Sequence, residues 1–364
     1  MRGVENPMAT ENSTPELMAS TVPRRVFVGG AAAAVGAVLV SGGSAEAREI
    51  ENLAASPPPN FVPLSMPGRV IKVKKPGSLM PNGLYPKEAD AREMLRRALE
   101  ELTGKRTLPE ALALFVHKDD RVCLKLNGIG SKSMSTNKEL VLPVAEALIA
   151  GGHAPESITI LEQWGGYMQN TRVDAKVIPP GVRISIHGNH DVATGYRDIP
   201  GTGQRTKFVR GLTESTAVIN FALVKDHSIC GYTGCLKNMT HGCIINPEEF
   251  HSHHASPQIA ILAAQEAIKS RVRLNITDGF KVMAHGGPLW KQPRYVVPHE
   301  AVYVSTDMVA MDRVGWEVVE QERAKFNLRT LTADGRIPGY IRAAGDLGLG
   351  IADRDRIRLR EIAI

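Results

Sequence analysis

Residues 121–162 read RVCLKLNGIGSKSMSTNKELVLPVAEALIAGGHAPESITILE, and the alternation within this stretch decides the fold. Arg121–Leu126 (RVCLKL) is a short apolar run of strand length, and Ser131–Asn137 is a polar loop. Lys138–Ala150 carries apolar residues at helical spacing and stops at Gly151-Gly152, and Ser157–Glu162 (SITILE) reads as a second strand. Strand, loop, helix, strand is the order of a crossover unit. Such a unit joins parallel strands with a right-handed connection and lays its helix on one face of the sheet.

The same rhythm continues on both sides. Upstream, Arg69–Lys74 predicts a strand, and Glu88–Leu102 (EADAREMLRRALEEL) predicts an amphipathic helix closed by Gly104. Downstream, strands are expected at Val182–His187, Ala217–Leu223, Leu274–Thr277 and Ala301–Ser305, with helices at Pro257–Lys269 and Met308–Ala324. The fold class expected is α/β: a mixed, mostly parallel sheet flanked by helices, with a ligand crevice at the carboxyl ends of the strands.

Part of the 364-residue chain reads as an address rather than a fold. Thr21–Ala47 (TVPRRVFVGGAAAAVGAVLVSGGSAEA) holds an arginine pair, a mildly apolar run and a terminal A-x-A pattern, which predicts cleavage after Ala47. Arg24-Arg25 followed by Val26-Phe27-Val28 resembles a twin-arginine signal. The run from Val26 to Val40 is too short to cross about 30 Å of hydrocarbon, so no stable membrane anchor is expected. The organisation that follows is a signal peptide over 1–47, a Pro-rich linker over 48–65 around Ser56-Pro57-Pro58-Pro59, and a single α/β domain over 66–364. The expected partner is the twin-arginine translocase, and the expected location is the periplasm or the exterior.

Charge and motifs narrow the function. The net charge is +6, and residues 1–47 hold three Arg and four Glu, so their removal leaves the remainder one unit more positive. The cations are dispersed among acids without a basic stripe, which argues against nucleic acid. No G-x-S-x-G, H-E-x-x-H or P-loop pattern occurs, and Asn127-Gly128-Ile129-Gly130-Ser131 lacks the G-x-G-x-x-G order, so NAD is not expected. Cys123, Cys230, Cys235 and Cys243 are too few for a disulfide scaffold; buried thiols, one disulfide, or metal ligation by the closely spaced three all fit.

The informative residues follow the strands. RVCLKL runs into Asn127, AVINFAL runs into Val224-Lys225-Asp226-His227, and Gly231–Asn238 (GYTGCLKN) comes next; LNIT ends at Asp278-Gly279. A parallel sheet lines such ends along one rim, so Lys125, Asn127, Lys225, His227, Lys237, Asn238 and Asp278 are expected to converge. Several cations there imply a small anionic ligand, with Gly234 letting backbone amides approach it. Lys125, Asn127, Lys237, Asn238 and Gly234 are the candidate binding residues, and His227, Asp278 and Lys225 the candidate catalytic ones.

These same segments resemble a known family. Val224–Gly242 (VKDHSICGYTGCLKNMTHG), Arg121–Asn127, Leu274–Gly279 (LNITDG) and Val304–Gly315 (VSTDMVAMDRVG) are similar to the motifs of the bacterial family catalogued as domain of unknown function 362. The resemblance spans most of residues 66–320 and implies that Lys125, Asn127, Lys225, His227, Gly234, Lys237, Asn238, Asp278, Asp307 and Asp312 form one site. It supplies no reaction. The chain departs from the family pattern at Asp226, Met308, Cys230, Cys235 and His241.

Histidine raises a second reading. His227, His241, His251, His253 and His254 crowd the segment after the central motif, and imidazoles with a carboxylate or thiolates suit a transition metal. The candidate ligands are His227, His241, Cys235 and Cys243. His285 is a further candidate general base. Three functions therefore stand at this level: an exported enzyme acting on a small anionic substrate, a periplasmic metal-binding and redox-capable protein, and a ligand-binding accessory protein without turnover.

Overall fold

The computed structural model describes residues 52–289 and 291–364; the expected signal peptide lies outside the described residues. Among the described residues there are eleven strands: β1 (Arg69–Lys74), β2 (Val122–Lys125), β3 (Ile158–Glu162), β4 (Arg183–Ile186), β5 (Arg197–Ile199), β6 (Gln204–Thr206), β7 (Ala217–His227), β8 (Gly231–Thr233), β9 (Val272–Met283), β10 (Val296–Ser305) and β11 (Arg358–Ala363). Nine of them form one sheet in the order β11-β1-β10-β9-β7-β2-β3-β4, with β8 folded back on β7; β5 and β6 pair separately. The run β9-β7-β2-β3-β4 is parallel throughout, and β10 is antiparallel to both β9 and β1. The chain is thus an α/β protein with a mixed, mostly parallel sheet.

β7 explains the layering. It is buried along all 11 of its residues because helices cover both faces of the sheet and parallel strands flank it on both edges. Side chains alternate across it. Val218, Ala222 and Val224 enter one core with Leu236, Met239, Ile259, Val309 and Val314; Ala217, Ile219 and Phe221 enter the other with Leu95, Leu99, Val144 and Leu148. The helices Glu88–Thr103 and Lys138–Ala150 therefore cover one face, and Cys235–Thr240, Gln258–Ala263 and Met308–Lys325 cover the other.

Four expected elements differ clearly from the observed ones, and one of them is β10, which begins at Val296 and not at Ala301. β7 runs to His227, not Leu223, since Lys225 and His227 pair with the returning β8. β9 runs to Met283, not Thr277. The expected helix 257–269 breaks into Gln258–Ala263 and Glu266–Lys269. Leu53, within the stretch read as linker, is buried, and its carbonyl accepts from Arg271 Nη1 at 2.6 Å. Among the described residues no helix is long and apolar enough to cross a membrane.

Candidate functional site

A cavity of about 290 Å³ opens at the carboxyl ends of β2, β3 and β7. The strand ends supply Lys125, Asn127, Glu162, Lys225 and His227 to it. The chain then turns back through β8 into the helix Cys235–Thr240, which adds Lys237 and Asn238, and the loop beyond adds His241 and His251. Trp164 and Tyr167, at the start of the helix Gly165–Thr171, form its far wall. Six of the seven residues expected from the strand ends line it, Lys125, Asn127, Lys225, His227, Lys237 and Asn238, and so does His241, which was expected as a metal ligand.

The lysines sit in different surroundings. Lys125 Nζ lies 3.5 Å from Glu162 Oε1 and donates to Leu126 O at 2.6 Å. Glu162 is itself held by the amides of Gly128 at 2.8 Å and Gln163 at 2.6 Å. Lys225 Nζ donates to Asn127 Oδ1 at 2.7 Å, and burial, against the attraction of the Glu162 carboxylate, pulls its pKa down to about 7. Lys237 Nζ lies 2.5 Å from His227 Nε2 and 3.0 Å from His251 Nε2, and burial again lowers its pKa.

Asn127 is oriented by a ladder of amides. Its Nδ2 donates to Asn238 Oδ1 at 3.1 Å, and Asn238 Nδ2 donates to Asn220 Oδ1 at 2.8 Å. Asn220 Nδ2 then donates to Cys235 O at 3.1 Å and Asn275 Oδ1 at 2.9 Å, and Asn275 reaches Ser305 O at 3.3 Å. The ladder crosses the sheet to β10 through Asn238, Asn220 and Asn275, whose side chains are almost wholly buried. It leaves Asn127 Oδ1 as an acceptor facing Lys225.

The imidazoles are held neutral. Desolvation pushes His227 and His241 far below the usual histidine range and His251 down to about 4. Their tautomers follow from their partners. His227 Nδ1 accepts from the amide of Ile229 at 3.1 Å, so its proton is on Nε2. His251 Nδ1 lies 2.9 Å from Pro247 O, a pure acceptor, so that proton is on Nδ1.

Two expected site residues fall elsewhere. Asp278 is not at the rim, because β9 continues five residues beyond it and it is Met283 that pairs with Lys225. Its Oδ2 accepts from the amide and the side chain of Asn137, both at 2.8 Å, fixing the start of the helix Lys138–Ala150. Burial still raises its pKa. Gly234 does not open a nest for an anion. A Cβ there would lie 2.4 Å from Asp312 Oδ1, which accepts the amide of Cys235 at 2.5 Å while Oδ2 accepts that of Leu236 at 3.0 Å. The amides that a ligand would have used are thereby taken by the protein.

The expected metal ligands are likewise not assembled. Among the described residues no group of three or more His, Cys, Asp or Glu side chains is placed to hold a metal ion. Cys235 Sγ contacts Thr277 Oγ1 at 3.6 Å in the core and does not line the cavity. Cys243 is also in the core, its thiol pushed up to about 12 by burial, and all four cysteines are free and buried. Lys237 Nζ, not a vacant centre, meets the His227 imidazole.

The remaining motif residues are scaffolding around the site. Asp307 gathers four amides, those of Val309, Ala310, Gly68 and Ile351, at 2.8–2.9 Å. Asp226, fully buried, accepts from Arg336 Nη1 at 2.7 Å and lies 3.6 Å from Arg323 Nη1. His285 stands 4.0 Å from Asp226, and neither it nor His253 or His254 lines the cavity. Residues not foreseen are Glu162, Tyr167 and Asn220. Glu162 is the last residue of an expected strand, and the same strand-end rule would have reached it.

No curated protein matches the chain. Among solved structures it is similar to the lactate racemase apoprotein from Thermoanaerobacterium thermosaccharolyticum, at 12% identity and a TM-score of 0.39. That match covers 69% of this chain and 57% of the other, so the chain spans little more than half of that structure's length. The family described as Domain of unknown function (DUF362) matches residues 122–317, from β2 into the helix Met308–Lys325 and thus across every strand and helix that lines the cavity, and the chain belongs to that family.

Proposed function

We propose that the protein is an exported enzyme that carries out proton-transfer chemistry on a small anionic molecule bound in the strand-end cavity. One observation carries this reading: Lys125, Lys225 and Lys237 share a cavity of about 290 Å³ with three neutral imidazoles. Lys225 and Lys125 are the groups to hold the anion, with Asn127 as a neutral partner. Lys237 with His227 and His251 forms a hydrogen-bonded set that can pass a proton without building a net charge. A passive binder needs no such set beside its cations. Export rests on Arg24-Arg25 and the A-x-A pattern at Ala45–Ala47.

The test is a thermal-shift screen of small carboxylates and inorganic phosphate, followed by proton NMR in D₂O on any compound that stabilises the protein. The reading expects stabilisation that Lys225→Ala removes, and incorporation of deuterium or another change at a carbon of the bound compound. Unchanged affinity in Lys225→Ala overturns the assignment of the anion site, and binding without any chemical change leaves the accessory-protein reading in its place.

A further inference from the structure

The hydrogen bonds around Lys237 require its side chain to be an uncharged amine. His227 Nδ1 accepts a backbone amide, so the neutral ring presents N–H at Nε2, and that N–H points at Lys237 Nζ across 2.5 Å. A group that receives an N–H must have a lone pair, which an ammonium lacks. On the other side His251 donates through Nδ1 to Pro247 O and presents a bare Nε2, to which Nζ donates across 3.0 Å. The chain of donors is continuous: His227 Nε2–H to Nζ, Nζ–H to His251 Nε2, and His251 Nδ1–H to the carbonyl. Lys237 is 7% exposed, makes no ion pair among the described residues, and lines the cavity. Burial, which lowers its pKa, acts in the same direction.

A neutral amine between two imidazoles, in a cavity that also holds cations, is the arrangement for covalent attack on a carbonyl. We propose that Lys237 adds to the carbonyl carbon of a small oxo-carboxylate and forms an imine, with Lys225 and Lys125 holding the carboxylate. This rests on the anion-site reading above and names the substrate class for it. In the step the Nζ lone pair forms the C–N bond and the carbonyl π pair moves to oxygen. Using that lone pair frees His227 Nε2–H, which then donates a hydrogen bond to the developing oxyanion and keeps its proton. His251 Nε2 takes the two Nζ protons in turn and returns each to that oxygen, the first making the hydroxyl and the second making it leave as water, so both imidazoles end neutral. Loss of the hydroxyl as water completes a C=N bond, so one amine and one carbonyl give one imine and one water, with no oxidant or reductant. The cavity of about 290 Å³ restricts the partner to a compound of a few heavy atoms.

The experiment incubates the full chain at pH 7 with glyoxylate or pyruvate and sodium cyanoborohydride, then measures intact mass and maps the modified peptide. The proposal expects one reduced-imine adduct per chain, on Lys237, formed at least tenfold faster than labelling of any surface lysine. Lys237→Arg, checked for folding by circular dichroism, loses that adduct. Lys225→Met keeps an adduct on Lys237 but needs at least tenfold more oxo-acid to saturate. Labelling spread over surface lysines, or centred on Lys225, overturns the proposal. A thermal shift is read with the same compounds without reductant: a shift with no adduct overturns the imine alone, whereas no shift with any carboxylate overturns the anion-site reading as well.

Discussion

Lys225 Nζ and Asn127 Oδ1 meet at 2.7 Å at the carboxyl ends of two adjacent parallel strands, so a buried ammonium is offered a neutral acceptor where a carboxylate would have held its charge. Burial lowers its pKa to about 7, and the Glu162 carboxylate offsets only part of that. An anion bound beside it favours the charged form, so binding above pH 7 must take up a proton. Affinity for a simple dicarboxylate such as malonate should fall about tenfold per unit above roughly pH 8 and level off below about pH 6. Titration calorimetry in two buffers of different ionisation enthalpy measures the proton directly. Lys225→Met should flatten the profile; a slope that survives this change assigns the anion contact to another cation.

The asparagine ladder predicts an effect from outside the cavity. Asn220 does not line it, yet accepts from Asn238 and donates to Asn275 and Cys235 O. Asn220→Ala leaves buried amide groups without partners, at about 1–3 kcal/mol. Once Asn238 is free to turn, Asn127 loses the contact that aims Oδ1 at Lys225. The variant should be less stable to urea and should also bind malonate with a shifted pH profile. Loss of stability with an unchanged profile would confine the ladder to a structural role.

Asp226 predicts a larger loss. It is fully buried between Arg336 and Arg323, and Arg336 also donates to His227 O at 2.9 Å, so the clamp backs directly on the site. Removing one member of a buried charge group costs about 3–5 kcal/mol, because the partners' charge stays behind. Asp334 keeps part of that charge compensated, so Asp226→Ala should fall at the lower end, near 3 kcal/mol by urea unfolding. A cost below about 1 kcal/mol would mean that Asp334 alone balances both arginines.

What was legible in the sequence has a physical pattern. The crossover unit 121–162 read correctly because period and punctuation agree in it, and Lys125, Asn127, Lys225 and His227 followed because strand ends share a rim. Asp278 failed for one reason: the polar triplet Thr277-Asp278-Gly279 looks like a strand end, but β9 passes through it with a register shift against β7. Gly234 failed because a glycine needed for close packing on Asp312 looks the same as one needed for a ligand. The amide ladder and the arginine clamp were invisible, since Asn220 lies 55 residues from Asn275 and Asp226 lies 110 from Arg336. Local patterns carry no information about such pairs.

Export is testable apart from the chemistry. If Arg24-Arg25 address the chain to the twin-arginine route, replacing both by Lys should leave full-length precursor in the cytoplasm, while the parent chain appears in the periplasm shortened by the first 47 residues. Fractionation with immunoblotting reads both species. Export of the Lys-Lys chain at the parent's rate would move it to a different route.

Asp312 links pH to the geometry of the site. Its carboxylate accepts the first two amides of the helix Cys235–Thr240, which carries Lys237 and Asn238, yet burial raises its pKa to about 7. In the unfolded chain the group titrates near 4, so between about pH 4 and 7 the folded state holds a proton that the unfolded state has released. Stability from this group is therefore full below about pH 4 and declines as pH rises to about 7, by up to ~1.4 kcal/mol per unit. Asp312→Asn cannot titrate. Buried histidines act in both proteins alike, so the difference between their unfolding free energies isolates Asp312: the parent should lose ground to the variant steadily from pH 4.5 to 7, measured in urea. A constant difference would show that the two amides keep Asp312 ionised throughout, and that the helix is held at its start by a full negative charge.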